Sequence, residues 1–413
     1  MSICDTENGL MSFEQAVNYL IDAMPTPSET QQIAIEDALG RVLAKDVVSS
    51  MNVPSADNSA MDGYAFAFDA MLDNSQTLTL VGQSFAGAPF NGSVASGECV
   101  RIMTGAVVPD GCDTVQMQEN AQVVSEQLVT IEKPKYMGAN VRNKGEDISQ
   151  GQVIFAAGRK LSSADIGVLV SLGFAHIDVF KQLTVALVAT GDELKRPGES
   201  LKSGDIYETN SYVVTSMLKK LGVNILNFGI VADDLAAITS AFNSANEQAD
   251  IVISSGGVSV GEADYTKQVL AELGSVDFWK VAIKPGKPFA FGQLSDSIFF
   301  GLPGNPVSAT VTFYQLVVPA LTQMQGAKWS PRKQMRATLT ANIRKRPGRK
   351  DFQRGIYTTN ENGEVSVSTT GAQGSGMLTS MSVANCFIVL PAEQGSLFEG
   401  EQVLIEPFDA LLT

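Results

Sequence analysis

The sequence predicts a multidomain α/β protein: a doubly wound α/β domain with a β-rich N-terminal insert and a small C-terminal β-barrel. Three observations predict it. From Leu183 to Leu321, continuous apolar runs alternate with amphipathic helical stretches, the pattern of strands covered on both faces. From Val48 to about Gly145, and again beyond Lys328, short strand-like runs are separated by turns. The chain also has 413 residues, too many for one ordinary core.

The elements follow in order. Ser12 opens a helix with Gln15 at the capping-box position, and Phe13, Ala16, Val17, Leu20, Ile21 and Met24 form its apolar stripe. Pro25 and Pro27 end it. LTLVGQ, GECVRIM, DTVQMQEN and LVTIEK read as strands of the insert, and Ser163 to Ser171 as a helix stopped by Gly173. The α/β pattern then runs through strand LTVALVAT, helix YVVTSMLKKLG, strand VNILNFGIV and helix DLAAITSAFNSANEQ. Strand ADIVISS, helix ADYTKQVLAELG, strands VDFWKVAI and SIFFG, and helix PVSATVTFYQLVVPAL complete it. MRATLT, GEVSVST and CFIVLPA are barrel strands. The expected division is 1–181 as a discontinuous N-terminal region, 182–328 as the α/β domain and 329–413 as the barrel. Within the first, a linker subdomain (27–48 plus 147–181) flanks the insert 49–146.

Composition limits the function. A formal net charge of -15 excludes broad nucleic-acid binding, which needs a basic footprint, so any anion must be held by a local cluster. Cys4, Cys99, Cys112 and Cys386 form no CxxC pair, which argues against a zinc or redox motif and fits a reducing, cytoplasmic setting. No apolar leader is visible, and Ser297 to Ala327 is broken by Pro303 and Pro306, short of the ~20 residues of a membrane span. The single histidine, His176, sits in a strand-like run and reads as structural. The chemistry therefore rests on carboxylates, lysines, backbone dipoles and a hard cation with oxygen ligands.

In an open α/β sheet, ligands bind at the carboxyl ends of strands. Four loops there carry functional residue types: Thr190 to Glu193, Ser254 to Tyr265, Lys284 to Phe289 and Gly301 to Ser308. All should line one crevice. Each also has a plain structural reading. The acidic pair Asp192–Glu193 could be a solvated turn. Gly256, Gly257 and Gly261 permit close approach to a ligand, or merely a tight turn. Asn305 and Pro306 suit a helix cap, whose dipole favours an anion. Lys284 and Lys287 are close enough to converge on one. No GxxxxGK[ST] occurs, nor a GxGxxG opening a helix. DNSAMDGYA, RNKGEDIS and the basic run Arg344 to Arg354 could each be exposed turns.

PSADNSAMDGYA, RIMTGA, GEDIS, ATGDEL, SSGGVSVGEADYTK, AIKPGKPFAFG and GLPGNPVSA together closely resemble the molybdopterin molybdenumtransferase family, which includes the C-terminal domain of gephyrin. They occur in that family's order over nearly the whole chain. The resemblance implies a molybdopterin-binding-like α/β domain and an elongated homodimer. It implies a transferase that loads molybdate onto adenylylated molybdopterin, with Mg²⁺-dependent hydrolysis and release of AMP. Asp62, Glu193, Asp233 and Asp264 resemble the catalytic carboxylates, with Glu193 and Asp264 as metal ligands. Thr104, Arg142, Asp147, Gly256, Gly257, Ser259, Pro303 and Pro306 resemble substrate-binding residues. Lys280, Lys284, Lys287, Ser308, Arg354 and Ser375 resemble its anion holders. Implied partners are the molybdopterin adenylyltransferase and acceptor molybdoenzymes, with neither nucleic acid nor membrane. Two other readings stay open: a nucleotide-handling hydrolase on a related α/β domain, and a non-catalytic pterin-binding scaffold.

Overall fold

A computed structural model describes residues 10–256 and 265–413. Cys4, Gly257, Ser259, Gly261 and Asp264 lie outside the described residues. The chain divides into two compact units, Lys45–Ala157 with Ser163–His176, and the remainder.

Helix α1 (Phe13–Ala23) belongs to the larger unit. Ser12 caps it, and the Ser12–Gln15 capping box is formed in both directions, so the local signal is sufficient to set its start. Ala16, Val17 and Leu20 are buried.

The smaller unit holds β1 (Gly63–Phe66), β2 (Ser75–Ser84), β3 (Glu98–Ile102), β4 (Thr114–Met117), β5 (Ala121–Ser125), β6 (Leu128–Glu132) and helix α2 (Ser163–Ser171). Its sheet runs β4-β1-β3-β2-β6-β5, with β2 and β3 parallel and the other neighbours antiparallel. Phe66, Leu78, Val129 and Ile131 pack into its core. Gly63 is required where β1 meets β4, since a Cβ there would stand 1.8 Å from the Gln116 carbonyl oxygen.

The larger unit is built on β7 (Thr184–Thr190), α3 (Asn210–Leu221), β8 (Asn224–Val231), α4 (Leu235–Gln248), β9 (Ile251–Ser255), α5 (Tyr265–Leu273), β10 (Gly274–Lys280), β11 (Pro288–Leu294) and β12 (Ile298–Leu302). Sheet order is β8-β7-β9-β12-β11-β10. Alternate residues of the central strands feed opposite cores. Val185, Leu187, Ile253 and Phe300 join the face that also buries Leu20 and Leu218. Ala186, Val188, Val252 and Phe299 join the face covered by Ile238, Phe242 and Leu270. Burying each large apolar side chain is worth roughly 1.5–3 kcal/mol, which is why these strands read as unbroken apolar runs.

Two details differ from the sequence reading. Pro288 and Phe289, read as the end of a loop, open β11, a strand antiparallel to both β10 and β12. Because both neighbours run against β11, β10 and β12 still end on the same side of the sheet. The long C-terminal helix is also not one α-helix. α6 (Pro306–Thr312) passes through a π-helical turn, Phe313–Val317, into α7 (Val318–Met324). Pro319 in the first turn of α7 lacks an N–H, and the wider π turn before it accommodates the break. No described helix is long and apolar enough to cross a membrane.

The C-terminal region forms β13 (Met335–Leu339), β14 (Lys350–Thr359), β15 (Val365–Thr369), β16 (Cys386–Leu390) and β17 (Gln402–Pro407). They run β14-β15-β13-β17-β16, and β16 pairs back onto β14, closing a five-stranded barrel. The basic run from Arg344 therefore enters a strand rather than remaining an exposed turn. Asp351, Gln353 and Arg354 are all buried.

Candidate functional site

A cleft of 1210 Å³ opens at the carboxyl ends of the α/β strands. All four loops singled out in the sequence contribute to its lining, as far as they are described. From the loop after β7 come Thr190, Gly191 and Glu193, and from that after β9 Ser255 and Gly256. Lys284 and Lys287 come from the loop after β10, and Pro303, Pro306 and Ser308 from that after β12. Asp233 joins from the end of β8, and Ser375 from the barrel.

Backbone geometry explains why glycines occupy the strand ends. Gly191 has φ 146°, and a Cβ there would meet the Glu193 carboxylate at 2.8 Å. The carboxylate thus folds back over Gly191. Gly256 has φ 96°, and a Cβ would stand 2.7 Å from the Thr190 carbonyl oxygen, so the β9 loop passes directly against the end of β7.

Carboxylates and cations enter the cleft from opposite edges of the sheet. Glu193, Glu208 and Asp233 follow β7 and β8, while Lys284, Lys287 and Arg349 follow β10 or precede β14. Asp233 is placed by Asp192, whose Oδ1 accepts from the Asp233 backbone N–H at 3.1 Å. Glu208 is buried at the start of α3, where its Oε1 accepts from the Ser211 N–H at 2.8 Å. Burial pushes its carboxyl above the ordinary range, partly offset by the Ser211 and Asn210 N–H groups that donate to it. Asn210 Nδ2 donates to the Gly304 carbonyl at 2.8 Å and fixes the loop before α6. Glu208, Asn210 and Arg349 were not singled out individually in the sequence, and Asp192 was named only as half of an acidic turn. A carboxylate just ahead of a helix was the available signal for Glu208, and Arg349 stood inside the basic run.

On the cationic side, Ile283–Lys284 pairs with Lys350–Asp351, tying the lysine loop to the barrel. Lys284 Nζ lies 3.2 Å from Asp351 Oδ2, and Gln353 Nε2 donates to the same oxygen at 3.1 Å. Lys287 is exposed. Lys280 does not line the cleft; its carbonyl accepts from the Met11 N–H.

Arg354 does not line it either. It is 1% exposed, with Nε donating to Ser380 Oγ at 3.0 Å and a terminal nitrogen donating to the Gly374 carbonyl at 3.1 Å. Gln373 accepts from the Arg354 N–H and donates back to its carbonyl. The Arg354–Gln373 pair therefore clamps the loop carrying Ser375, whose own carbonyl accepts from the Val307 N–H in the first turn of α6. That contact uses one of the free donors expected at this helix N-terminus.

The remaining residues singled out lie in the smaller unit. Thr104 donates from both N–H and Oγ1 to Asp62 Oδ1, each at 2.7 Å. These bonds, with the Arg101 charge, hold the Asp62 carboxyl below its ordinary range. Arg142 pairs with Asn58 in a short antiparallel ladder. Asp147 donates its N–H to the Val53 carbonyl, and Asp57 accepts from the Lys144 N–H. Asp62, Thr104, Arg142 and Asp147 thus sit on segments stitched to one another. His176 is exposed, at the first position of a short strand. Among the described residues no group of three or more His, Cys, Asp or Glu side chains is gathered as a metal cage.

An α/β sheet whose strand ends open a cleft with cations at one edge and carboxylates at the other is the architecture of a ligand-binding α/β protein. The sequence comparisons specify which. Residues 11–173 match the MoeA N-terminal region (domain I and II), 186–323 the probable molybdopterin binding domain, and 336–408 the MoeA C-terminal region (domain IV). The chain is 46% identical to the molybdopterin molybdenumtransferase of Haemophilus influenzae, over 98% of this chain and 100% of that one. It is 32% identical to gephyrin of Dictyostelium discoideum over 91% of this chain and 59% of gephyrin. The crystal structure of the molybdopterin biosynthesis MoeA protein of Pyrococcus horikoshii superposes with a TM-score of 0.84 at 28% identity, covering 97% of this chain and 100% of that one. The chain belongs to the molybdopterin molybdenumtransferase family, transferases of molybdenum cofactor biosynthesis.

Proposed function

We propose that this protein inserts molybdate into adenylylated molybdopterin, with hydrolysis of the adenylyl bond and release of AMP. The observation that carries the reading is the charge division of the cleft, cations from one sheet edge and carboxylates from the other. Pterin phosphate, AMP and molybdate are all anions, which suit Lys284, Lys287 and Arg349. Cleaving a phosphoanhydride needs the developing negative charge neutralised, and the sole histidine lies outside this cleft.

The carboxylate side fits a divalent cation. Mg²⁺ prefers oxygen ligands and is commonly held by one or two carboxylates, the rest of its shell being water and substrate phosphate. Among the described residues Glu193 and Asp233 line the carboxylate side of the cleft, and no closed protein cage is gathered there. Bound there, Mg²⁺ would neutralise phosphate charge and polarise the anhydride. Asp264, a further ligand implied by the resemblance, lies outside the described residues.

We also propose a homodimer acting in the cytoplasm, receiving substrate from the molybdopterin adenylyltransferase and passing product to acceptor molybdoenzymes. Cys99, Cys112 and Cys386 are free thiols, which suits a reducing compartment. Sedimentation of the purified chain tests the dimer.

The deciding assay is AMP release from adenylylated molybdopterin, with and without molybdate. Release that requires both molybdate and Mg²⁺ is expected. Release independent of molybdate would favour the nucleotide hydrolase, and tight binding without release would favour the scaffold.

A further inference from the structure

Beside the cleft lies a second hollow of 770 Å³, formed where the barrel meets the lysine loop. Lys284, Arg344, Lys345, Arg346 and Arg349 line it, with Asp351 as the only lining carboxylate. Lys284 and Arg349 also line the cleft, so the two spaces share a wall. Asp351 is engaged by Lys284 and Gln353. Among the described residues, no carboxylate forms an ion pair with Arg344, Arg346 or Arg349.

The hollow is built rather than incidental. Lys345 is 6% exposed, and its Nζ donates to the Gln394 carbonyl at 2.8 Å and the Ala392 carbonyl at 3.3 Å. An ammonium has three donors, so one remains. The Lys345 N–H donates to Ser396 Oγ, which also borders the hollow. The Arg349 guanidinium is tethered to the Ile283 carbonyl at the seam with the cleft. Burial pushes the Lys345 ammonium below its ordinary range, opposed by the nearby charges of Asp351 and Glu393.

The net charge supplies the reason for such a feature. A protein at -15 repels a free dianion at long range. A cluster of cations reverses the local field and concentrates anions there.

We propose that the hollow is a second anion subsite, which captures a free tetrahedral oxyanion and passes it along Arg349 and Lys284 into the cleft. That the oxyanion used in turnover is molybdate rests on the reaction proposed above; the subsite itself does not. Its chemistry is shared by molybdate and sulfate, and differs from that of a nucleotide monophosphate.

The test is equilibrium dialysis of the intact protein with molybdate, with labelled sulfate and with AMP. The variant is Arg344→Gln/Arg346→Gln, both positions being exposed and free of ion pairs with described residues. Oxyanion affinity at the hollow should fall about tenfold or more, AMP affinity should hold, and binding should weaken with added salt. Unchanged oxyanion binding in the folded double variant would overturn the subsite. So would a fall in AMP affinity, since the hollow would then serve the nucleotide phosphate. Binding is read without turnover. If AMP release proved independent of molybdate while the variant lost sulfate, the proposed reaction would fall and the subsite would stand.

Discussion

The ammonium of Lys284 sits 3.2 Å from the carboxylate of Asp351, one side chain bordering the cleft and the other 3% exposed inside the barrel. One lysine therefore serves two demands. It presents a charge to the cleft and it compensates a buried carboxylate.

Lys284→Ala should accordingly show two separable defects. The cost of leaving Asp351 without its cation is about 1–3 kcal/mol, toward the lower end because Lys284 is partly exposed and water can reach it. Oxyanion use should fall about tenfold or more. Adding Asp351→Asn should restore most of the melting temperature without restoring molybdate use. Recovery of both together would mean that Lys284 acts only on stability.

Gly256→Ala introduces a Cβ 2.7 Å from the Thr190 carbonyl, at a φ of 96°. Neither strain can relax without moving the end of β7. A loss of about 1–2 kcal/mol in stability is expected. A larger fall should appear in AMP release, because Thr190 leads directly to Gly191 and Glu193. Full activity in a stable Gly256→Ala protein would show that the approach of the two strand ends does not matter to the site.

The Asp62–Thr104 contact makes a signed pH prediction. Asp62 is held below its ordinary pKa of ~3.9 when folded. A depressed carboxyl contributes stability that is complete above the unfolded value and disappears as pH falls through the folded one. Asp62→Asn should therefore melt slightly below wild type at pH 6. The two curves should converge as pH drops below about 4. A gap that widens in acid would contradict the sign.

Much of this architecture was legible in the chain because local signals and tertiary demands agreed. Ser12 and Gln15 specified a helix start that the capping box fulfils. The apolar runs around Val185, Val252 and Phe299 read as strands covered on both faces, and they are. β11 was missed because Pro288 and the preceding KPGK suggested loop. A proline is tolerated as the first residue of a strand, and only pairing with β10 and β12 reveals the rest. The start of β14 was missed for a different reason. KDFQRG looks solvated, yet Asp351 and Arg354 are buried because their polar groups meet Lys284 and Ser380, distant in sequence, while Gln353 is buried against Asp351. Asp192 and Asn210 belong to the same class: each positions a neighbour, a role invisible until the chain has folded.

Arg354 gives the last prediction. Resemblance places it among the anion holders, while the structure buries its guanidinium against Ser380 and Gly374, outside the cleft lining. The geometry makes it a positioning residue that acts through the Ser375 loop. Arg354→Lys keeps the charge but cannot reproduce two directed N–H bonds from one planar group. The loop should loosen, releasing the Ser375 carbonyl from Val307. Half-saturating molybdate should rise while kcat changes less, with a stability loss of about 1–3 kcal/mol. Gln373→Ala, which removes the other half of the clamp without touching any charge, should shift molybdate use in the same direction. If Gln373→Ala left molybdate use untouched while Arg354→Lys abolished it, the guanidinium would have to reach the anion itself, and the clamp would be incidental.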